Sequence, residues 1–145
     1  MWDINMYMKT GNIKTNGELP RNIAKSLVDT LQKEGYLVKR NFEYPNKILS
    51  NFDVKYPSYT LDIFAVKRND IMVIKYENCS DVLSNKHKKL WKALSSKPGV
   101  NFYILVPFYC KEKAQIKSRM LNVPIKILCL DNWKDSFESS LRNSK

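Results

Sequence analysis

Two apolar runs, YTLDIFAV at residues 59–66 and IMVIKY at residues 71–76, are separated by only the four residues KRND, and they constrain this chain more than any other feature. A polar connection that short between two strand-like runs makes a hairpin. Neither run alternates apolar with polar residues, which is the pattern of strands covered on both faces. The hairpin therefore belongs to the middle of a sheet with helices on either side. Asp62 and Lys75 then stand as charges inside buried strands, where an ionised group is costly without a partner.

The rest of the chain supplies the covering layers. After Pro20, which suits a first helical turn, Ile23, Ala24, Leu27, Val28 and Leu31 recur at helical spacing and Gly35 stops the run. Residues 36–42 read as a strand, and residues 43–58, with Pro45 and Pro57, as a loop or irregular hairpin. Residues 81–95 (DVLSNKHKKLWKALS) predict one helix capped by Ser80 or Asp81, with Trp91 in its core face beside Leu83, Leu90 and Leu94. A strand at residues 100–107, a basic helix at 111–121, a strand at 124–130 and a short helix at 132–141 complete the series. The order is α-β-β-β-α-β-α-β-α, an α/β fold with a mixed sheet flanked by helices. Residues 1–17 read as an N-terminal arm and residues 18–145 as a single domain, with no linker or repeat to divide it.

Charge narrows the partners. Lys and Arg number 25 against 14 Asp and Glu, a net +11. Phosphate backbones are the commonest answer to such an excess, because each neutralised phosphate releases condensed counterions. An anionic membrane surface or an acidic protein comes next. Lys86, Lys88, Lys89, Lys92 and Lys97, with Lys111, Lys113 and Lys117, are the candidate phosphate contacts; the alternative is a merely solvated helix face. His87, with no nucleophile paired to it, reads as a surface or phosphate-facing residue. Cys79, Cys110 and Cys129 lack zinc-ligand spacing and read as buried thiols of a reducing compartment. No apolar run reaches the ~18 residues of a membrane span, and the N-terminus has no cleavable leader pattern. The expectation is an intracellular, cytoplasmic protein without a membrane partner.

The element order, with Asp62 in LDIFAV on the second strand and Lys75 and Glu77 in IKYE at the end of the third, resembles the restriction-endonuclease-like, PD-(D/E)xK nuclease superfamily over about residues 18–130. In that family an acid on the second strand and an E-x-K tripeptide on the third follow a helix carrying a glutamate. Here Leu61 replaces the proline before the acid, and the tripeptide is exchanged to K-x-E. Residues two apart on a strand face the same way, so Lys75 and Glu77 share a face and can both approach Asp62.

The resemblance implies a catalytic set of Asp62, Lys75 and Glu77, a Mg²⁺ or Mn²⁺ ion held by Asp62 and Glu77 with Glu18 as a further ligand, and DNA, duplex or branched, as substrate. A hard cation held by carboxylates would bridge the scissile phosphate and a water, while an ammonium offsets charge developing on the phosphate oxygens. It also implies a homodimer, for which the N-terminal arm offers an element. The bland alternatives are an ordinary ion pair between Lys75 and Glu77, and a Glu18 that only complements a helix dipole. The functional readings are therefore an endonuclease, a nuclease-fold protein that binds DNA without cutting it, or an assembly subunit using the same fold.

Overall fold

A computed structural model describes residues 18–44 and 59–143. The expected N-terminal arm and the loop before the second strand fall mainly or wholly outside these residues.

Helix α1 (Arg21–Lys33) begins directly after Pro20. It ends as Gly35 predicts: Gly35 adopts φ +94°, its N–H reaches the Gln32 carbonyl, and the Tyr36 N–H reaches the Leu31 carbonyl. These paired bonds close the last turn and need a left-handed residue, which glycine supplies without steric cost. Strands β1 (Leu37–Tyr44), β2 (Tyr59–Lys67) and β3 (Asp70–Tyr76) form an antiparallel meander. The hairpin turn is two residues long, with Arg68 at φ +57°.

β3 is the middle strand. Beyond it β4 (Val100–Val106) and β5 (Lys126–Cys129) run parallel to it, giving one five-stranded mixed sheet in the order β1-β2-β3-β4-β5. The crossovers carry α2 (Cys79–Leu83), α3 (Lys88–Ser95) and α4 (Lys111–Leu121); α5 (Trp133–Asn143) closes the described chain.

Each face of the sheet has its own core. On one face Val73, Phe102, Ile104 and Val106 pack against Val82, Leu90, Trp91, Leu94 and Ala114 of α2, α3 and α4. On the other Ile63, Ala65, Ile74, Tyr103 and Leu105 meet Leu27 and Leu31 of α1 and Phe137 and Leu141 of α5. This is the doubly covered hairpin that the uninterrupted apolar runs demand, an α/β fold in three layers.

The expected helix over residues 81–95 is two helices. Asn78, rather than Ser80 or Asp81, caps α2, its Oδ1 accepting from the Asp81 N–H at 2.8 Å. After Leu83 the chain leaves the helix at Ser84, whose hydroxyl bonds the Asp81 carbonyl and accepts from the Lys86 N–H. Short polar side chains that bond the neighbouring backbone compete with helix continuation. The cysteines need a second correction: Cys79 and Cys110 form a disulfide, tying the start of α2 to the turn before α4, and only Cys129 is a free, buried thiol.

The alternation of β1 and β2 slips by one residue at the same level. Leu61 and Ile63, two apart, lie in opposite cores, and so do Val38 and Phe42, four apart. The ladder pairs Arg40 with Ile63 and Phe42 with Leu61, passing over Asn41 and Asp62. Asn41 absorbs the slip at φ +54°, a conformation that asparagine tolerates and β-branched residues resist. Asn41→Gly should accordingly leave the urea midpoint essentially unchanged, whereas Asn41→Val should cost about 1–3 kcal/mol; equal effects of the two substitutions would show that the slip is not seated on this residue.

Candidate functional site

Asp62 sits at the slip and belongs to neither core. Its Oδ2 accepts the Tyr76 N–H at 2.7 Å. The β2–β3 register ends at Ile63 opposite Ile74, so a carboxylate takes over where backbone pairing stops. Burial raises the Asp62 pKa; the Lys75 ammonium and the Tyr76 N–H pull it down, and the Glu77 carboxylate pushes it up again. Lys75 is 9% exposed and, one residue past Ile74 of the opposite core, is directed by strand alternation to the face covered by α2, α3 and α4. Glu77, two residues on, follows on that face, and its N–H extends the parallel ladder to the Leu105 carbonyl at 2.9 Å. Asp62, Lys75 and Glu77 thus gather where β3 leaves the sheet, as the exchanged K-x-E suggests.

Glu77 is fully buried, and its carboxylate turns toward His87. His87 Nδ1 and Glu77 Oε2 lie 2.7 Å apart, within ion-pair distance, and neither atom makes a hydrogen bond. His87 is 6% exposed, not the surface residue its sequence context suggests. The break after α2 explains why: it restarts the chain at His87, the residue before α3, and places the ring under Tyr59, edge to face at 5.7 Å. Asp81 completes the group. One ligand atom each from Glu77, Asp81 and His87 lies within 4.8 Å of the others. Among the described residues this is the cluster able to hold a metal ion; Asp62 and Glu18 are not in it, and Glu18 is exposed ahead of α1.

Lys117 closes the group from α4. Its Nζ donates to the Ser84 carbonyl at 2.9 Å and sits 4.5 Å from the centre of the Trp91 ring. Burial lowers its pKa, while Glu77 and Asp81 raise it. Lys117 is half-buried, with its ammonium turned inward beside this cluster. Trp91 itself is fully buried, as its helical spacing predicts. The Tyr76 phenol is pushed up to about 12, by burial first and then by Tyr109, Asp62 and Asp81.

Around this strand end the surface is basic and aromatic. Lys86, Lys88, Lys89 and Lys92 beside and on α3, and Lys111 and Lys113 on α4, are all exposed. Phe108 and Tyr109, stacked edge to face just past β4, are 63% and 69% exposed. Sequence reading passed over this pair because it directly follows a buried strand. A second basic surface lies on the opposite side of the sheet, where Arg21, Asn22, Lys25, Val28 and Arg40 line an open cavity of about 550 Å³.

No family model matches the chain, and no curated protein does. A crystal structure of a protein of unknown function, AF1548, aligns with it at a TM-score of 0.48 and 13% identity, over 77% of this chain; the chain spans 58% of that protein's length. No helix among the described residues is long and apolar enough to cross a membrane.

The Asp62 geometry separates its two roles, hydrogen-bond acceptor and charge. Asp62→Ala leaves the Tyr76 N–H without its acceptor and should cost about 1–3 kcal/mol. Asp62→Asn keeps an acceptor and removes the ionisation that burial opposes, so it should be the more stable variant. The sign follows from the raised pKa: the wild-type carboxyl favours folding most when protonated, and that contribution is lost as pH rises through its folded-state value. Urea unfolding between pH 4 and 8, on a scale set by the ordinary carboxyl range of about 4, should show Asp62→Asn gaining on wild type with rising pH; a constant difference would contradict the assignment.

Proposed function

We propose that this chain is a nucleic-acid-binding protein with a restriction-endonuclease-like fold, hydrolysing DNA phosphodiester bonds with the help of a divalent cation. The observation that carries the reading is the gathering of Asp62, Lys75 and Glu77 at the end of the central strand, where the sheet changes from antiparallel to parallel. Ligand sites of open α/β sheets form beyond the carboxyl ends of the parallel strands, and β3 and β4 end together here. Further support comes from the helix that leads into a three-strand meander and from the two parallel strands that follow it, the order the family resemblance implies.

In this reading the exposed lysines of α3 and α4 neutralise backbone phosphates, and Phe108 and Tyr109 offer flat faces on which bases can stack. Lys75 offsets negative charge on the reacting phosphate, while Asp62 and Glu77 draw the cation, Mg²⁺ or Mn²⁺, to the strand end. The cation, when bound, would supply Lewis acidity to the phosphate and acidify a water. Glu18 is left with the bland role of an acid near a helix N-terminus. A second reading, a DNA-binding protein without hydrolysis, is favoured by one specific observation: the Asp62 carboxylate is engaged by the Tyr76 N–H, and that of Glu77 faces His87.

Two measurements test the proposal. Binding of duplex DNA, followed by fluorescence anisotropy, should weaken by orders of magnitude between about 50 and 200 mM salt and fall further in a Lys88→Glu, Lys89→Glu, Lys92→Glu variant that stays folded; binding indifferent to salt and to these charges would refute the phosphate contacts. Cleavage of duplex and branched DNA with Mg²⁺ or Mn²⁺ should be detectable for wild type and lost in Asp62→Ala. Cleavage that survives Asp62→Ala removes the proposed centre, and binding without any cleavage leaves the second reading.

A further inference from the structure

We infer that Glu77, Asp81 and His87 form a binding site for a first-row transition cation of the Mn²⁺ to Zn²⁺ class, preferred over Mg²⁺. The inference shares Glu77 with the proposed hydrolytic centre but does not depend on hydrolysis. Its first ground is convergence: a carboxylate at the end of β3, one from the first turn of α2 and an imidazole from the start of α3 bring their ligand atoms within 4.8 Å of one another. These three residues are four and six apart in sequence, and only the helix break at Ser84 lets them meet.

The second ground is an unexplained set of buried polar atoms. Both oxygens of Glu77 and the Nδ1 of His87 are inaccessible to solvent and make no hydrogen bond. Glu77 has His87 Nδ1 beside its Oε2 at 2.7 Å, but a buried carboxylate that accepts no hydrogen bond is costly, and such groups in a folded protein call for an ion or another specific role. Lys117 does not discharge it. Among the described residues no lysine lies within ion-pair distance of Glu77, and the Lys117 ammonium is turned to the Ser84 carbonyl and the Trp91 ring. That placement keeps the Lys117 ammonium off the three donors while leaving a nearby positive charge that moderates the two carboxylates.

The donor set selects the ion. Mg²⁺ favours an octahedron of oxygens and sheds its waters reluctantly, whereas one imidazole nitrogen with two carboxylates suits Mn²⁺, Fe²⁺, Co²⁺ or Zn²⁺. Glu77 and His87 are buried and Asp81 is half-buried, so the Asp81 side is where waters or a substrate oxygen complete the coordination.

Isothermal titration of the intact, oxidised protein with ZnCl₂, MnCl₂ and MgCl₂ tests this directly, with the thermal midpoint as an independent readout. One Zn²⁺ and one Mn²⁺ should bind per chain, each at least about tenfold more tightly than Mg²⁺ and each raising the midpoint, as any ligand specific to the folded state must. Asp81→Asn, at the half-buried position, should weaken both by about tenfold or more while the protein remains folded. His87→Gln should weaken Zn²⁺ more than it weakens Mg²⁺. No binding by wild type, tighter binding of Mg²⁺, or unchanged Zn²⁺ affinity in both variants overturns the site. Cation binding at these residues without DNA cleavage sustains this inference while removing the hydrolytic reading, and DNA cleavage by a protein whose cation affinity ignores Asp81 and His87 does the reverse.

Discussion

The hydrogen bond from the Tyr76 N–H to the Asp62 carboxylate is the interaction on which the organisation of this protein turns. It occurs where β2 and β3 stop pairing through their backbones, and it lets the central strand run on past its partner to join β4 at Glu77. The sheet thereby ends in a notch between an antiparallel half and a parallel half. Three ionisable side chains, Asp62, Lys75 and Glu77, are drawn into that notch, Lys75 and Glu77 buried and Asp62 half-buried. Such burial is unfavourable for each group alone, and the mutual attraction of the charges offsets only part of the cost.

The helical layer closes over the same end of the sheet. A continuous helix over residues 81–95 would have carried His87 outward with its lysine neighbours; the interruption at Ser84 turns it in to face Glu77. The Cys79–Cys110 disulfide fixes the start of α2 against the turn that carries Phe108 and Tyr109, so the acidic group and the exposed aromatic pair are held in one frame. Lys117 reaches back from α4 to the carbonyl of Ser84, the residue at which the helix breaks.

Much of this was legible in the sequence, for reasons that particular residues make clear. The strands could be read because their apolar runs are long and rich in Ile, Val and Phe, and α1 because its stripe is bounded by Pro20 and Gly35. Asp62 and Lys75 stand out because charge is rare in buried strands, and Glu77 because the family resemblance pairs it with Lys75. What escaped reading depends on contacts between distant parts of the chain. The slip at Asn41 and Asp62 leaves no mark in hydropathy, and the disulfide joins cysteines 31 residues apart without any framework spacing. His87 reads as exposed from sequence because its neighbours are lysines and because nothing in the hydropathy interrupts the helix over residues 81–95. The capping pattern from Asn78 to Asp81 and the SNK stretch at residues 84–86 were the available signals for that break.

In the proposed reading, the charges at the end of β3 serve a site and not stability. The most direct test is the unfolding free energy of a triple variant, Asp62→Asn, Lys75→Met and Glu77→Gln, which removes all three charges with little change of shape. Replacing buried ion pairs by uncharged residues of similar volume is often neutral or stabilising when the replacements pack well, so the variant should be at least as stable as wild type in urea. A loss of several kcal/mol, on the scale of about 3–5 kcal/mol for breaking a buried pair, would show instead that the charges are there to hold the fold.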